Sequence, residues 1–262
     1  VDVADDAICK PSEAKAVFED VKIKKSGYDL KNQMHLLSGL GIKLQGIYFD
    51  IMLAGYVLNP GIRRYALEEL CLDFLKKSLE KNLILDLVNL KNLLTARIEE
   101  EKLQKVFYEI EMPLLPVLYN MEVTGILVDK DILGELAKHI DNRLEKIDKE
   151  IYKLSGSEFN IDSPLQLKVV LYDTLGLKPI SGRIKKGKTG FSTAASELEK
   201  LSELHPIIDF ISEHRELAKL KNTYVDTLPK QTDRAGRVHS TFNQTVTSTG
   251  RLSSSAPNLQ NI

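Results

Sequence analysis

The chain has 262 residues, enough for one large domain or two ordinary ones. Hydrophobic residues make up 43% and charged residues 28%, with a formal net charge of -1, so a soluble packed protein is expected and any basic surface must be local. Two cysteines, Cys9 and Cys71, make no disulfide framework, no Cys/His spacing suggests zinc, and no apolar run approaches the roughly 20 residues of a membrane span.

The acidic start VDVADDAICKP is not a signal peptide, and a reduced, cytoplasmic protein is expected. Residues 1 to about 100 read as α/β. SEAKAVFED has helix composition with Ser12 as its N-cap. GYDLKNQMHLLSGLG reads as a helix closed by Gly39 or Gly41. GIYFDIMLAGYVLNPG runs from a β-rich stretch, 47–49, into a helix stopped by Asn59-Pro60-Gly61. RRYALEELCLDFLKKSLEKN reads as helical throughout.

From Phe107 onward helix dominates. FYEIEMPLLPVLYNMEVTG is a helix with two prolines, for which a kink is expected. GILVD is a short strand or extended step. Leu133, Leu136, Ile140, Leu144, Ile147, Ile151 and Leu154 then recur at steps of three and four, which predicts a long amphipathic helix. A second long helix is expected over 196–223, with Leu198, Leu201, Leu204, Ile208, Ile211 and Leu217 as its stripe. Together they predict an antiparallel stalk. Between them Ser163-Pro164 has the form of a helix start. KPISGRIKKGKTGFST is Gly-rich and carries Lys178, Arg183, Lys185, Lys186 and Lys188 with no acidic residue. The chain closes on RVHSTFNQTVTSTGRLSS, read as a strand with Val238, Phe242 and Val246 on one face, broken by Gly250.

The final polar stretch, TSTGRLSSSAPNLQNI, fits two descriptions by composition. It is either a polar surface loop or a row of donors aimed at the minor groove. The minor groove shows acceptors at similar places for every base pair, and Arg251, Asn258, Gln260 and Asn261 are donors of the kind that could meet them. Arg215 and Lys219 stand at i and i+4, either as a phosphate-meeting pair or as a solvated face partnered by Glu213 and Glu216. The lysines of the 183–188 loop and the helix start at Ser163 are further phosphate candidates. No nucleophile motif, P-loop or dinucleotide fingerprint occurs, and the five histidines are scattered.

Taken in order, these strings resemble the family A DNA polymerases, the bacterial DNA polymerase I type. TGRLSSSAPNLQNI resembles that family's TGRLSS-x-x-PNLQNIP segment, and HRELAKLKNTYVDTLP its second long thumb helix. GSEFNIDSPLQL resembles its thumb tip, EIEMPLLPVLYNMEVTGILVD its approach to the thumb, and FDIMLAGYVLNP its 3′–5′ exonuclease-type domain. The resemblance implies a degenerate, N-terminally incomplete α/β exonuclease-like (ribonuclease H-like) domain over 1–105. A mainly α-helical thumb would follow over 106–230, and the first β-strand of the palm over 231–262. It implies that Arg251 contacts the minor groove at the primer terminus and that Asn258, Gln260 and Asn261 line the primer–template. Arg215 and Lys219 would contact the DNA backbone, with Asn160, Ser163, Lys185, Lys186 and Lys188 in the thumb tip.

The resemblance further implies a bacterial, nucleoid-associated monomer whose parent extends a primer on a DNA template in replication and repair, using dNTPs and Mg²⁺. The palm aspartates of that chemistry are expected beyond Ile262, so no catalytic or metal residue is assigned within the chain. The exonuclease site is expected to be dead. Gln33 stands where the mid-domain Asp should fall, and the Tyr-x-x-x-Asp pair is missing whether Asp86 or Leu83 marks its end, the Tyr position being Asn82 in the first case. Two alternatives stay open: a non-catalytic, vestigial duplex-binding or scaffold protein, and an active 3′–5′ exonuclease.

Overall fold

A computed structural model describes residues 11–62, 64–79, 83–178, 186–187 and 190–260; for 11–13, 186–187 and 190 it describes the backbone alone. By contact the chain forms two compact units, one of residues Val1–Ile126 with His239–Ile262, the other Leu127–Val238. The expected divisions at 105/106 and 230/231 are divisions by resemblance and belong with the function proposed below.

The first unit opens with helix α1 (Pro11–Glu19). The helix starts two residues earlier than an N-cap at Ser12 requires, so Ser12 lies in its first turn and is not the N-cap; proline suits a first helical position, where its missing N–H has no partner to lose. Strand β1 (Lys25–Gly27), helix α2 (Leu30–Gly39) and strand β2 (Ile47–Asp50) follow. β1 and β2 pair in parallel, with Ser26 opposite Phe49 and Gly27 opposite Asp50, so α2 is the crossover that parallel strands require. Between α2 and β2 the chain turns at Gly46, whose φ is +67° and whose Cβ position would lie 2.3 Å from the Ile23 carbonyl oxygen; only glycine fits there.

Helix α3 (Ile51–Leu58) ends at Asn59-Pro60, as the breaker residues predict. The next segment is helical only over α4 (Leu67–Leu70) and a π-wound turn, Cys71–Leu75, and stops at Lys76, whose φ is +57°. The helix expected across all of 63–82 is therefore broken. Helix α5 (Leu83–Glu100) packs on α3. A π-wound stretch, Lys105–Glu111, leads into α6 (Met112–Thr124), where Pro113 sits in the first turn and Pro116 lies inside without ending the helix. Phe49, Ile51, Leu53, Leu70, Leu90, Leu94, Ile98, Phe107 and Leu115 form the dry centre of this unit. Phe49 and Phe107 meet at 4.9 Å between ring centroids.

β3 (Ile126–Leu127) falls at the junction of the units. The second unit is built on α7 (Lys130–Ser155), capped by Asp129, which accepts from the Asp131 and Ile132 N–H groups, and closed by Gly156 in the left-handed region. Its apolar stripe is buried toward the C-terminal end, at Ile140, Ile147 and Ile151, whereas Leu136 near its start is exposed. Ser163 caps α8 (Pro164–Lys168), as predicted, with its Oγ accepting from Gln166 N–H at 3.4 Å; a π-wound stretch, Val169–Thr174, continues it. Short strands β4 (Lys186–Gly187) and β5 (Gly190–Phe191) pair antiparallel.

The second long helix is not continuous. α9 (Ala195–Leu198) runs into a 3₁₀ turn, Glu199–Leu201, and the chain breaks before Pro206; α10 (Ile207–Leu220) then continues into a π-wound Lys221–Val225. Pro206 brings no N–H to a helix continuing from the preceding turn and disfavours a helical backbone at His205. The apolar stripe was legible even so, since Leu198, Leu201, Ile208 and Ile211 are buried in one cluster with Ile147, Ile151, Leu167 and Leu171. α10 packs on α7, and the order of their contacts, Asp141 with Lys221 and Asp148 with His214, is antiparallel.

After β6 (Arg237–Val238), the last residues return to the first unit as a hairpin of β7 (Thr241–Asn243) and β8 (Ser253–Ser255). Thr241 stands opposite Ser255, Phe242 opposite Ser254 and Asn243 opposite Ser253. The expected single strand carrying Val238, Phe242 and Val246 is thus two strands and a loop. Val238 is buried while Val246 is exposed in the loop.

Candidate nucleic-acid interface

The β7–β8 hairpin carries Arg251, Asn258 and Gln260, and all three are exposed. Gly250 turns the chain just before Arg251 with φ +76° and open space around it. The Arg251 carbonyl accepts from Thr247 Oγ1 at 2.5 Å, which ties the loop across its base and leaves the guanidinium outward. Beyond β8 one buried hydroxyl organises the turn. Ser254 Oγ accepts from the Leu259 and Gln260 N–H groups at 2.9 and 3.2 Å and donates to Asn258 Oδ1 at 3.1 Å. Asn258 Oδ1 also accepts from Gln260 N–H at 3.1 Å. The Asn258 oxygen is therefore held inward by its own turn, and its NH₂ is the group available to an acceptor outside. Asn261 lies outside the described residues.

The second unit holds the other expected contacts. Lys219 is exposed on α10. Arg215, one turn earlier, is half-buried, and its guanidinium donates to the Thr193 carbonyl oxygen and, at 3.4 Å, to Thr193 Oγ1. Burial pulls its pKa below the usual arginine value. Glu213 partners neither of them; it accepts a bidentate pair from Arg143 on α7 at 2.6 and 2.7 Å. The two cations differ in kind: Lys219 is an exposed surface charge, and Arg215 is a fixed fork with donors remaining. Asn160 Oδ1 accepts from Asp162 N–H at 3.0 Å, and its backbone N–H donates to Gln166 Oε1 at 2.7 Å, so Asn160 and Ser163 together shape the start of α8. Lys185 and Lys188 lie outside the described residues, as does the side chain of Lys186.

Among the described residues the carboxylates do not offer a divalent cation a cluster of hard oxygen ligands. Asp50 is fully buried, and both its oxygens accept backbone N–H groups, from Leu30 at 2.6 Å and from Met52 and Leu53 at 2.8 and 3.2 Å. Asp86 is fully buried against Lys77 at 2.7 Å. Gln33 is exposed on α2, and Asn82 lies outside the described residues. Asp233 caps its own turn, accepting from Ala235 and Arg237 N–H at 2.8 Å each. Among the described residues no group of three or more His, Cys, Asp or Glu side chains could hold a metal, and no helix is long and apolar enough to cross a membrane.

Sequence reasoning missed Glu122. It is buried on α6 between the first unit's helices and the hairpin, and a cavity of about 450 Å³ opens beside it, lined by Asp29, His35, Asp50, His239 and Asn243 among others. The signal was present: Leu115, Leu118 and Glu122 share the buried stripe of α6, which puts a carboxylate where a leucine would fit.

The sequence profile of DNA polymerase family A matches residues 130–262, and that of the DNA polymerase I ribonuclease H-like domain matches residues 2–82. The chain belongs to DNA polymerase family A. It is similar to a DNA polymerase I of Synechocystis sp., 41% identical over 259 residues that cover 88% of this chain and 26% of the relative. It is also similar to a DNA polymerase I of Bacillus subtilis, 36% identical over 269 residues that cover 93% of this chain and 30% of the relative. The chain therefore spans between a quarter and a third of these relatives. Among solved structures it resembles the POL domain of Pol1 from M. smegmatis in complex with DNA primer-template and dNTP, with 33% identity and a TM-score of 0.83 over 96% of this chain and 45% of that one.

Proposed function

We propose that this chain is the exonuclease-like domain, thumb and first palm strand of a DNA-directed DNA polymerase that extends a primer on a DNA template in replication and repair. Within it, 1–105 is the exonuclease-like part, 106–230 the thumb and 231–262 the start of the palm. The chain itself grips duplex primer–template without reading its sequence. One observation carries the reading: Arg251 and the Asn258 and Gln260 amides stand exposed on one braced hairpin, inside the segment that the family profile matches. Such donors suit minor-groove acceptors common to all base pairs, while Lys219 and Arg215 suit phosphates. The similar POL domain was solved with primer-template and dNTP, which supports DNA and dNTP as partners of the whole protein.

Nucleotidyl transfer by two metals needs paired carboxylates, and Asp233 is the sole carboxylate in 231–262. The chain is accordingly a binding part of a Mg²⁺-dependent enzyme and has no transferase activity alone. The exonuclease-like domain is degenerate and inactive, since Gln33 supplies no charge and Asp50 and Asp86 are engaged elsewhere. Digestion of single-stranded DNA by the purified chain with Mg²⁺ or Mn²⁺, abolished by chelation, would overturn that statement. The protein acts as a monomer in the bacterial cytoplasm.

Duplex binding measured against salt tests the interface. Lys219→Ala should weaken binding evenly across unrelated sequences and reduce the slope of log K against log salt by about 0.9, one phosphate's worth. Arg215→Ala should move the slope less, because its guanidinium is half-buried on Thr193. A slope unchanged by Lys219→Ala sinks the phosphate assignment, and no binding by the unaltered chain sinks the proposed function itself.

A further inference from the structure

We infer that Lys31, His35 and Glu122 are positioning residues that brace the β7–β8 hairpin, so that the helices of the first unit orient Arg251. The inference rests on the DNA-binding reading above only for what the orientation serves. Glu122 is 6% exposed and Lys31 14%, so their ion pair is a buried one. Glu122 Oε1 accepts from the Phe242 N–H at 2.7 Å, while Lys31 Nζ donates to the Phe242 carbonyl at 2.7 Å and to Glu122. Both backbone groups of the central β7 residue are thus met by side chains, one on α2 and one on α6. His35 Nε2 lies 2.6 Å from Glu122 Oε2, its ring 4.7 Å from that of Tyr119, and His239 Nδ1 lies 2.7 Å from the Glu122 carbonyl oxygen.

A hairpin of two three-residue strands is not stable alone in water. Its free strand edge needs partners, and here a charged pair supplies them in fixed geometry. Two further ties hold the loop that carries Arg251. Tyr56 of α3 donates its hydroxyl to the Thr247 carbonyl at 2.8 Å, and Gln244 donates to the Glu111 carboxylate at 2.7 Å. Thr247 in turn holds the Arg251 carbonyl. The chain of contacts runs from helices of the first unit to the backbone of Arg251, and Lys31, His35 and Tyr56 give the exonuclease-like part a role in it that needs no nuclease chemistry.

The test combines amide hydrogen exchange with duplex binding on the full chain. Glu122→Leu should speed exchange of the Phe242 amide about tenfold or more while Leu94 in the same unit's core keeps its protection. In binding, the loss from Glu122→Leu combined with Arg251→Ala should be no greater than that from Arg251→Ala alone, because the first change already misplaces the arginine. Lys31→Met, which leaves the Glu122 bond to Phe242 in place, should give the same non-additivity if Glu122→Leu does not fold. Unchanged Phe242 protection in Glu122→Leu, or binding losses that add in either pair of variants, would overturn the brace. Failure of the unaltered chain to bind duplex overturns the functional reading instead, and the exchange measurement still decides the brace.

Discussion

Asp50→Ala should lower the stability of the chain by about 3–5 kcal/mol, the cost of leaving buried backbone donors without acceptors. Asp50 is the N-cap of α3 through Oδ1, and through Oδ2 it accepts the Leu30 N–H at the start of α2. One side chain thereby joins two helix starts at the end of β2. Asp50→Asn should cost about half as much. An amide oxygen can still cap α3, but the NH₂ would then face the Leu30 N–H. Burial pushes the Asp50 carboxyl from 3.8 up to about 6, outweighing the N–H bonds that favour its charged form. The sign follows from proton binding. Between about pH 4 and pH 6 the folded chain holds a proton there that the unfolded chain has released, so stability falls as pH rises through that window, by roughly 2–3 kcal/mol, and levels off above it. Urea unfolding of the parent chain and Asp50→Asn from pH 4 to 7 checks this. The variant should lack that component of the slope, and identical slopes would refute the assignment.

Lys77→Met should cost about 2–4 kcal/mol by removing the counter-ion of a fully buried carboxylate. Asp86 sits in the first turn of α5, where the helix dipole favours a negative charge, and Lys77 reaches it at 2.7 Å from the segment after the π-wound turn. The lysine is about a third exposed, which places the expected loss below that of a fully enclosed pair. The negative charge is also felt at Cys71, whose thiol burial and Asp86 together push up. Changing both partners, Lys77→Met with Asp86→Leu, should recover most of the loss, because no charge is then stranded. Chemical denaturation of the two single variants and the double variant decides it. A Lys77→Met loss below about 0.5 kcal/mol, the range of an ordinary surface change, would show that the pair matters little.

The same two carboxylates show how function was and was not legible. Asp86 was visible in the string as a candidate motif residue, and Asp50 as a position in the FDIMLAGYVLNP string that carries the resemblance. Their engagement, one with a lysine nine residues earlier and one with a backbone N–H twenty residues earlier, was not. Hydrogen-bond partners at such separations depend on how elements pack, which periodicity does not encode. Arg215 repeats the lesson. Its i,i+4 relation to Lys219 is a property of any helix, yet the contact with Thr193 that separates their behaviour is tertiary.

By itself the sequence determined the elements whose signals are local: the cap at Ser163, the stop at Asn59-Pro60, the stripe of α7, and the family through its ordered strings. Capping, proline sterics and side-chain period act within a few residues, so they are written where they act. The break before Pro206 is local as well, written by a proline inside the expected helix. Only the tertiary structure decided that residues 239–260 fold as a hairpin on the first unit, and that Glu122 closes the edge of β7. The physical reason in the last case is desolvation. A carboxylate on a buried stripe is costly until Lys31, His35 and the Phe242 N–H converge on it from distant parts of the chain.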